Sequence, residues 1–135
     1  MFYNVENWSD SMKYVYNKLV RDKIPENINK MKDRKANYKI LNDDEYLQEL
    51  DKKLFEEAHE FIEEHSVEEL ADLMEVINAI IKLKNISLED VEKARRIKND
   101  KKGKFENKVY LIDVEQEFVD EREEGELKKD WRKTI

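Results

Sequence analysis

The chain has 135 residues, a formal net charge of −7, 39% hydrophobic and 44% charged residues, enough for one domain with a modest core. Cysteine is absent, which excludes a disulfide framework, a catalytic thiolate and a zinc–thiolate site; the acidic balance argues against nucleic acid as the main partner; and no apolar run approaches the roughly 20 residues of a membrane span. Two glycines and one proline point to long helices with short connections. The N-terminus, with Asn4, Glu6 and Asp10, is not that of a signal peptide, so a cytoplasmic protein with no membrane partner is expected.

Residues 1–17 are aromatic-rich, with Phe2, Tyr3, Trp8, Tyr14 and Tyr16, but show no clean period. They read as an arm that packs on the helices or on a partner chain, or stays partly disordered. Residues 18–115 read as the helical domain. Lys18-Leu-Val-Arg-Asp-Lys-Ile-Pro leads into a short helix with Pro25 in its first turn, where its missing N–H costs nothing. Ile24, Ile28 and Met31 give that helix one apolar edge, and it is expected to end near Arg34. Residues 35–41 form a linker.

Asn42 or Asp43 is the expected N-cap of a long helix, with acids at Asp44 and Glu45 suiting its first turn. It runs to about His65. Ser66 caps the next helix, which ends near Asn85 and carries Leu70, Leu73, Met74, Val76, Ile77, Ile80, Ile81 and Leu83. Beyond Asp72, Glu75, Asn78 and Lys82 make only a narrow polar strip, so it is expected to be the most buried helix. Ser87-Leu-Glu-Asp is a further capping signature, opening a helix that stops by Gly103. Val109-Tyr-Leu-Ile is β-prone and suits a strand or an extended tail, a short extended segment near 108–113. Residues 116–135 form a charged C-terminal extension.

The informative residues flank the His65-Ser66 break. Glu57 and Glu60 precede it, Glu69 and Asp72 follow it, and each pair is spaced i,i+3, so both members share a helix face. At about 100° per residue, Glu57 falls inside the stripe of Leu50, Leu54 and Phe61. Glu69 falls inside the stripe of Leu73, Val76, Ile77 and Ile80. A charge in an apolar stripe is costly unless a partner or a metal neutralises it. If the helices fold back on each other, four carboxylates converge, a good hard-cation site. Basic residues stand at Lys18, Arg21 and Lys23 and again from Lys93 to Lys108, and acid beside base is what a metal–phosphate site needs.

Each feature also has a plainer reading. Glu69 follows Ser66 by three residues and suits a capping box. Glu57 suits an ion pair with an interior lysine. Glu56 and Glu60, taken alone, suit a solvated surface. Glu56-x-x-His59 matches half of a di-iron bundle motif, but His65 has no acid three residues before it. Asn78 suits either a base or ribose contact or a helix–helix hydrogen bond. Trp8, Tyr46, Phe105 and Trp131 suit edge packing more readily than stacking on a base.

Glu56-Glu57-Ala-His-Glu60 followed by Glu69-Leu-Ala-Asp72 resembles the EExxE…ExxD signature of the MazG-like all-α nucleoside triphosphate pyrophosphohydrolase superfamily, which includes dimeric dUTPases and phosphoribosyl-ATP pyrophosphohydrolase. The N-terminal Lys18-Leu-Val-Arg-Asp-Lys-Ile-Pro, the central Glu68-Glu-Leu-Ala-Asp-Leu-Met-Glu-Val-Ile and Lys102-Gly-Lys-Phe resemble its phosphoribosyl-ATP pyrophosphohydrolase-like branch. The resemblance covers 18–115. The eight residues Phe61 to Glu68 between the two halves are fewer than usual for the superfamily and leave little room for a base-recognition insert.

The resemblance implies hydrolysis between the α and β phosphates of a nucleotide, giving a monophosphate and pyrophosphate, with Mg2+ required and Mn2+ as a substitute. It implies Glu57, Glu60, Glu69 and Asp72 as metal ligands and Glu56 as an extra acid that binds a further ion or orients water. Lys18, Arg21 and Lys23, then Arg95, Lys98 and Lys101, are the candidate phosphate-binding cations, and Asn78 a candidate nucleoside contact. The expected fold is all-α: an antiparallel helix hairpin completed to a four-helix bundle, within the chain or by a second copy in a homodimer or higher homo-oligomer. The competing function is a non-enzymatic helical interaction module. Phosphoribosyl-ATP hydrolysis in histidine synthesis is a narrower enzymatic alternative.

Overall fold

The computed structural model describes residues 11–117 and Ile135. Residues 1–10 of the arm, with Phe2, Tyr3 and Trp8, and 118–134 of the extension, with Trp131, lie outside the described residues. Four α-helices follow in order: α1 (Ile24–Asn29), α2 (Asp43–Glu64), α3 (Val67–Leu83) and α4 (Leu88–Lys102). No strand occurs among the described residues. The chain divides into two compact units, Met1–Asn85 and Ile86–Ile135.

In the first unit, α2 and α3 pack on each other as an antiparallel hairpin. Local chemistry sets its ends. Asn42 accepts the Glu45 N–H at 2.9 Å and caps α2, and Ser66 Oγ accepts the Glu69 N–H at 3.2 Å and caps α3. Between them His65 takes a left-handed conformation, φ 51°, which turns the chain back within two residues. α1 is shorter than the spacing predicts. The Met31 N–H turns back to the Ile28 carbonyl at 2.9 Å, and Asn29 Oδ1 accepts the Ala36 N–H at 2.8 Å, so the chain leaves the helix well before Arg34.

The core of the hairpin is small. Leu50 and Val76 are the buried apolar residues, and Glu57, at 7% exposure, is buried with them. Expected to be the most buried helix, α3 has one buried residue, Val76, against Leu50 and Glu57 in α2, and leaves Val67, Leu70, Met74 and Ile77 exposed. A helix apolar on most sides needs cover on most sides, and one partner helix shields one side.

In the second unit, Ser87 Oγ accepts the Asp90 N–H at 3.2 Å and caps α4. The helix stops at Gly103, whose φ of 82° suits a residue without a Cβ. Its apolar residues Val91 and Ile97 are exposed. Of the two readings of 108–113, the strand does not form: the segment is neither strand nor helix. Val109, Tyr110, Leu111 and Ile112 are all exposed, and a β-prone run without a neighbouring strand has nothing to pair with.

Candidate metal centre

The hairpin brings carboxylates from both helices together. Glu57 of α2 and Glu69 and Asp72 of α3 each offer an oxygen, and these oxygens lie within 4.8 Å of one another. Glu57 comes from the apolar stripe of α2. Glu69 and Asp72 come from the first two turns of α3, directly after the tight turn. The turn is what permits the meeting, because two residues between helices leave their facing ends adjacent.

Two details separate this group from an ordinary acidic surface. Oε2 of Glu57 and Oε2 of Glu69 are buried and have no hydrogen-bond partner. Both side chains also have raised pKa values. For Glu57 burial is the main cause; the Lys53 ammonium opposes it, and the carboxylates of Glu60 and Asp72 add to it. For Glu69 desolvation again leads, followed by a side-chain hydrogen bond with Glu60 and then by the charges of Glu60, Asp72 and Glu64. Glu60 thus stands beside both acids, although its oxygens are outside the group that converges. A carboxylate offers another carboxylate no proton when both are ionised.

Two cations touch this group and a third stands on the neighbouring Glu56. Lys53 Nζ lies 3.3 Å from Glu57 Oε1 and 3.5 Å from Glu56 Oε2. Lys18 Nζ lies 3.6 Å from Glu56 Oε1, and Arg21 donates to Asp72 Oδ1 at 2.7 Å. The segment before α1 therefore lies across the acids and brings two of the three sequence-identified cations with it. Lys23, the third, is exposed at the start of α1. Arg95, Lys98 and Lys101 belong to α4 in the second unit, where Arg95 holds Glu92 at 2.7 Å and Lys98 and Lys101 are exposed. Asn78 is half-buried on α3.

Lys53 is the residue that sequence reasoning did not name. The signal was its position, four residues before Glu57 and three before Glu56, which puts it on their helix face. The plain reading of Glu57 as the partner of an interior lysine is thus half realised. One oxygen is paired and the other is not. For Glu69, the Ser66 hydroxyl takes the backbone N–H, while the carboxylate joins the acid group. His59 lies 3.1 Å from Glu63 and is exposed.

The donor set is all carboxylate oxygen, with two unpaired buried acceptors, and it contains neither sulfur nor imidazole. That chemistry fits a hard divalent cation, which takes oxygen ligands at roughly 2.0–2.6 Å. A cation there would satisfy both orphaned oxygens and offset the desolvation that raises both acids. The group can hold a metal ion. Among the described residues no helix is long and apolar enough to cross a membrane. Neither the family models, nor the curated proteins, nor the solved structures compared with this chain give a match.

Proposed function

We propose that the chain is a Mg2+-dependent nucleotide pyrophosphohydrolase of the MazG-like kind, with Mn2+ as a substitute, cleaving between the α and β phosphates to release a monophosphate and pyrophosphate. The observation that carries the reading is the pair of buried, partnerless oxygens on Glu57 and Glu69, on facing helices and beside Asp72. The sequence resemblance supplies the reaction class.

In this reading Glu57, Glu69 and Asp72 hold the ion, and Glu60, one turn beyond Glu57, completes the set. The bound ion would supply acidification of water and neutralisation of phosphate charge. Glu56, held between Lys18 and Lys53, is the base that accepts a proton from the attacking water. The water oxygen forms the new bond to phosphorus, and the bond to the pyrophosphate oxygen breaks. Arg21 is within reach of Asp72, and moving from that carboxylate to a phosphate oxygen would exchange one charge-assisted hydrogen bond for another.

The same reading takes the active form to be a homo-oligomer. Phe55, at 81% exposure, with Ile62, Val67 and Met74, is apolar surface on α2 and α3 that water meets directly. Two hairpins joined on such surface make a four-helix bundle. This exposed surface is also what favours the rival interaction-module reading. Pyrophosphate release from a panel of ribo- and deoxyribonucleotides and phosphoribosyl-ATP, with Mg2+ or Mn2+, separates them. Metal-dependent release is expected; no release from any substrate with either ion would refute the enzymatic reading.

A further inference from the structure

An open hollow of about 400 Å³ lies on the surface of the first unit, lined by Asp22, Tyr46, Glu75, Asn78, Lys82 and Leu83 among others, none of them buried, a volume within the range of small-molecule sites. Its place along α3 is informative. Glu75 follows Asp72 by three residues, and Asn78 follows Glu75 by three more, so one face of α3 presents them at intervals of about 4.5 Å. Asp22 adjoins Arg21, the residue bonded to Asp72. The carboxylate group and the cavity are therefore consecutive stations along one helix, bordered by one stretch of chain.

The lining has its own chemistry. Tyr46 offers a ring, Asn78 offers an amide with both donor and acceptor, and Asp22 and Glu75 offer acceptors. Two acids against Lys82 make the cavity net negative, which disfavours phosphate inside it and favours a neutral group rich in hydroxyl and amino donors. Lys18 and Arg21 stand at the other end, beside the acids. A nucleotide has this order: anionic phosphates, then a hydroxylated sugar, then a flat base with donors and acceptors on its edge.

We propose that this cavity is a ribonucleoside subsite. Glu75, one turn from Asp72, accepts hydrogen bonds from the ribose hydroxyls, and Tyr46 and Asn78 take the base. The assignment rests on reading the carboxylate group as the phosphate end. It adds the orientation of the substrate along α3 and a preference for ribose over deoxyribose. Loss of one hydroxyl would cost one hydrogen bond to Glu75, whose exposed carboxylate is then taken up by water, a change of about fivefold in affinity.

The test uses the full chain in metal-free buffer, with adenosine, guanosine, cytidine and uridine and their 2′-deoxy counterparts as probes. NMR follows the Asn78 side-chain amide and the Tyr46 ring. At least one ribonucleoside is expected to shift both, with its deoxy form about fivefold weaker. Exposed Glu75 tolerates exchange, so Glu75→Gln should fold and should narrow the difference between ribose and deoxyribose. Equal binding of both sugars, or no shift at Tyr46 and Asn78 with any nucleoside, would overturn the assignment. Melting with and without Mg2+ keeps the two readings apart. A Mg2+ effect without nucleoside shifts overturns the subsite alone; nucleoside shifts without a Mg2+ effect support the subsite and refute the metal reading.

Discussion

On the inner face of the α2–α3 hairpin, Glu57 lies 3.3 Å from Lys53 on its own helix, yet its pKa is raised, chiefly by burial. On the open surface of α4, Glu92 lies 2.7 Å from Arg95, also on its own helix, and its pKa is lowered, chiefly by the hydrogen bond from Arg95. The two pairs use similar chemistry. They differ in access to water. Around Glu92 solvent supports the charge and the arginine adds to it. Around Glu57 desolvation outweighs the lysine, and one carboxylate oxygen is left with nothing to bond. An acid that its own cation does not satisfy is poised for a second one. Glu57 keeps an acceptor that its lysine does not satisfy, whereas Glu92 is satisfied by Arg95 and water.

The largest contrast between the two regions lies in packing. Leu50→Ala removes one of the two buried apolar side chains of the hairpin and is expected to cost about 2–4 kcal/mol in chemical denaturation. Val91→Ala on exposed α4 is expected to cost less than about 1 kcal/mol. Equal costs would show that the inner face is not the core. Next comes the pairing itself. Lys53→Met leaves Glu57 without its cation and should destabilise the metal-free protein by about 1–3 kcal/mol, with Mg2+ restoring much of the loss. Arg95→Met should leave the melting temperature almost unchanged.

Acidity sharpens the same comparison with a smaller effect. Because the folded pKa values of Glu57 and Glu69 lie above 4.5, the folded state takes up protons before the unfolded chain does. The stability from that uptake is fully present below 4.5 and is lost as pH rises through the raised folded values. The metal-free protein should therefore melt higher as pH falls from 7 towards 4.5, and Glu57→Gln should flatten the slope. Glu92 works in the opposite sense: its contribution is present above 4.5 and is lost as pH falls through its lowered value. Being on an open surface, it should contribute least, which the pH–melting profile of Glu92→Gln would check.

Much of this architecture was legible in the chain because it is written in local chemistry. Asn42, Ser66, Ser87 and Gly103 fix helix ends through their own side chains or backbone freedom, and the structure uses each as expected. Glu57 was legible because its phase on α2 conflicts with its charge. Other features depend on non-local facts. The early end of α1 comes from Asn29 bonding the chain seven residues on. The run from Val109 to Ile112 has β propensity but no strand to join, and propensity alone does not hold a strand. An apolar sequence states what a helix would bury, not how many neighbours it has, so α3 leaves Val67, Leu70, Met74 and Ile77 to solvent. Lys53 was overlooked because, among many lysines on solvated faces, only the fold shows which one points at a buried acid.

Thermal melting of the wild type and Glu57→Gln, with Mg2+ or Mn2+ and with matched ionic strength, tests the central claim that these carboxylates hold a divalent cation. At a concentration about 100-fold above the dissociation constant, a bound ion adds about 2.7 kcal/mol. The wild type should rise by several degrees and Glu57→Gln should not move. An unmoved wild type, or an equal rise in both proteins, would contradict the claim.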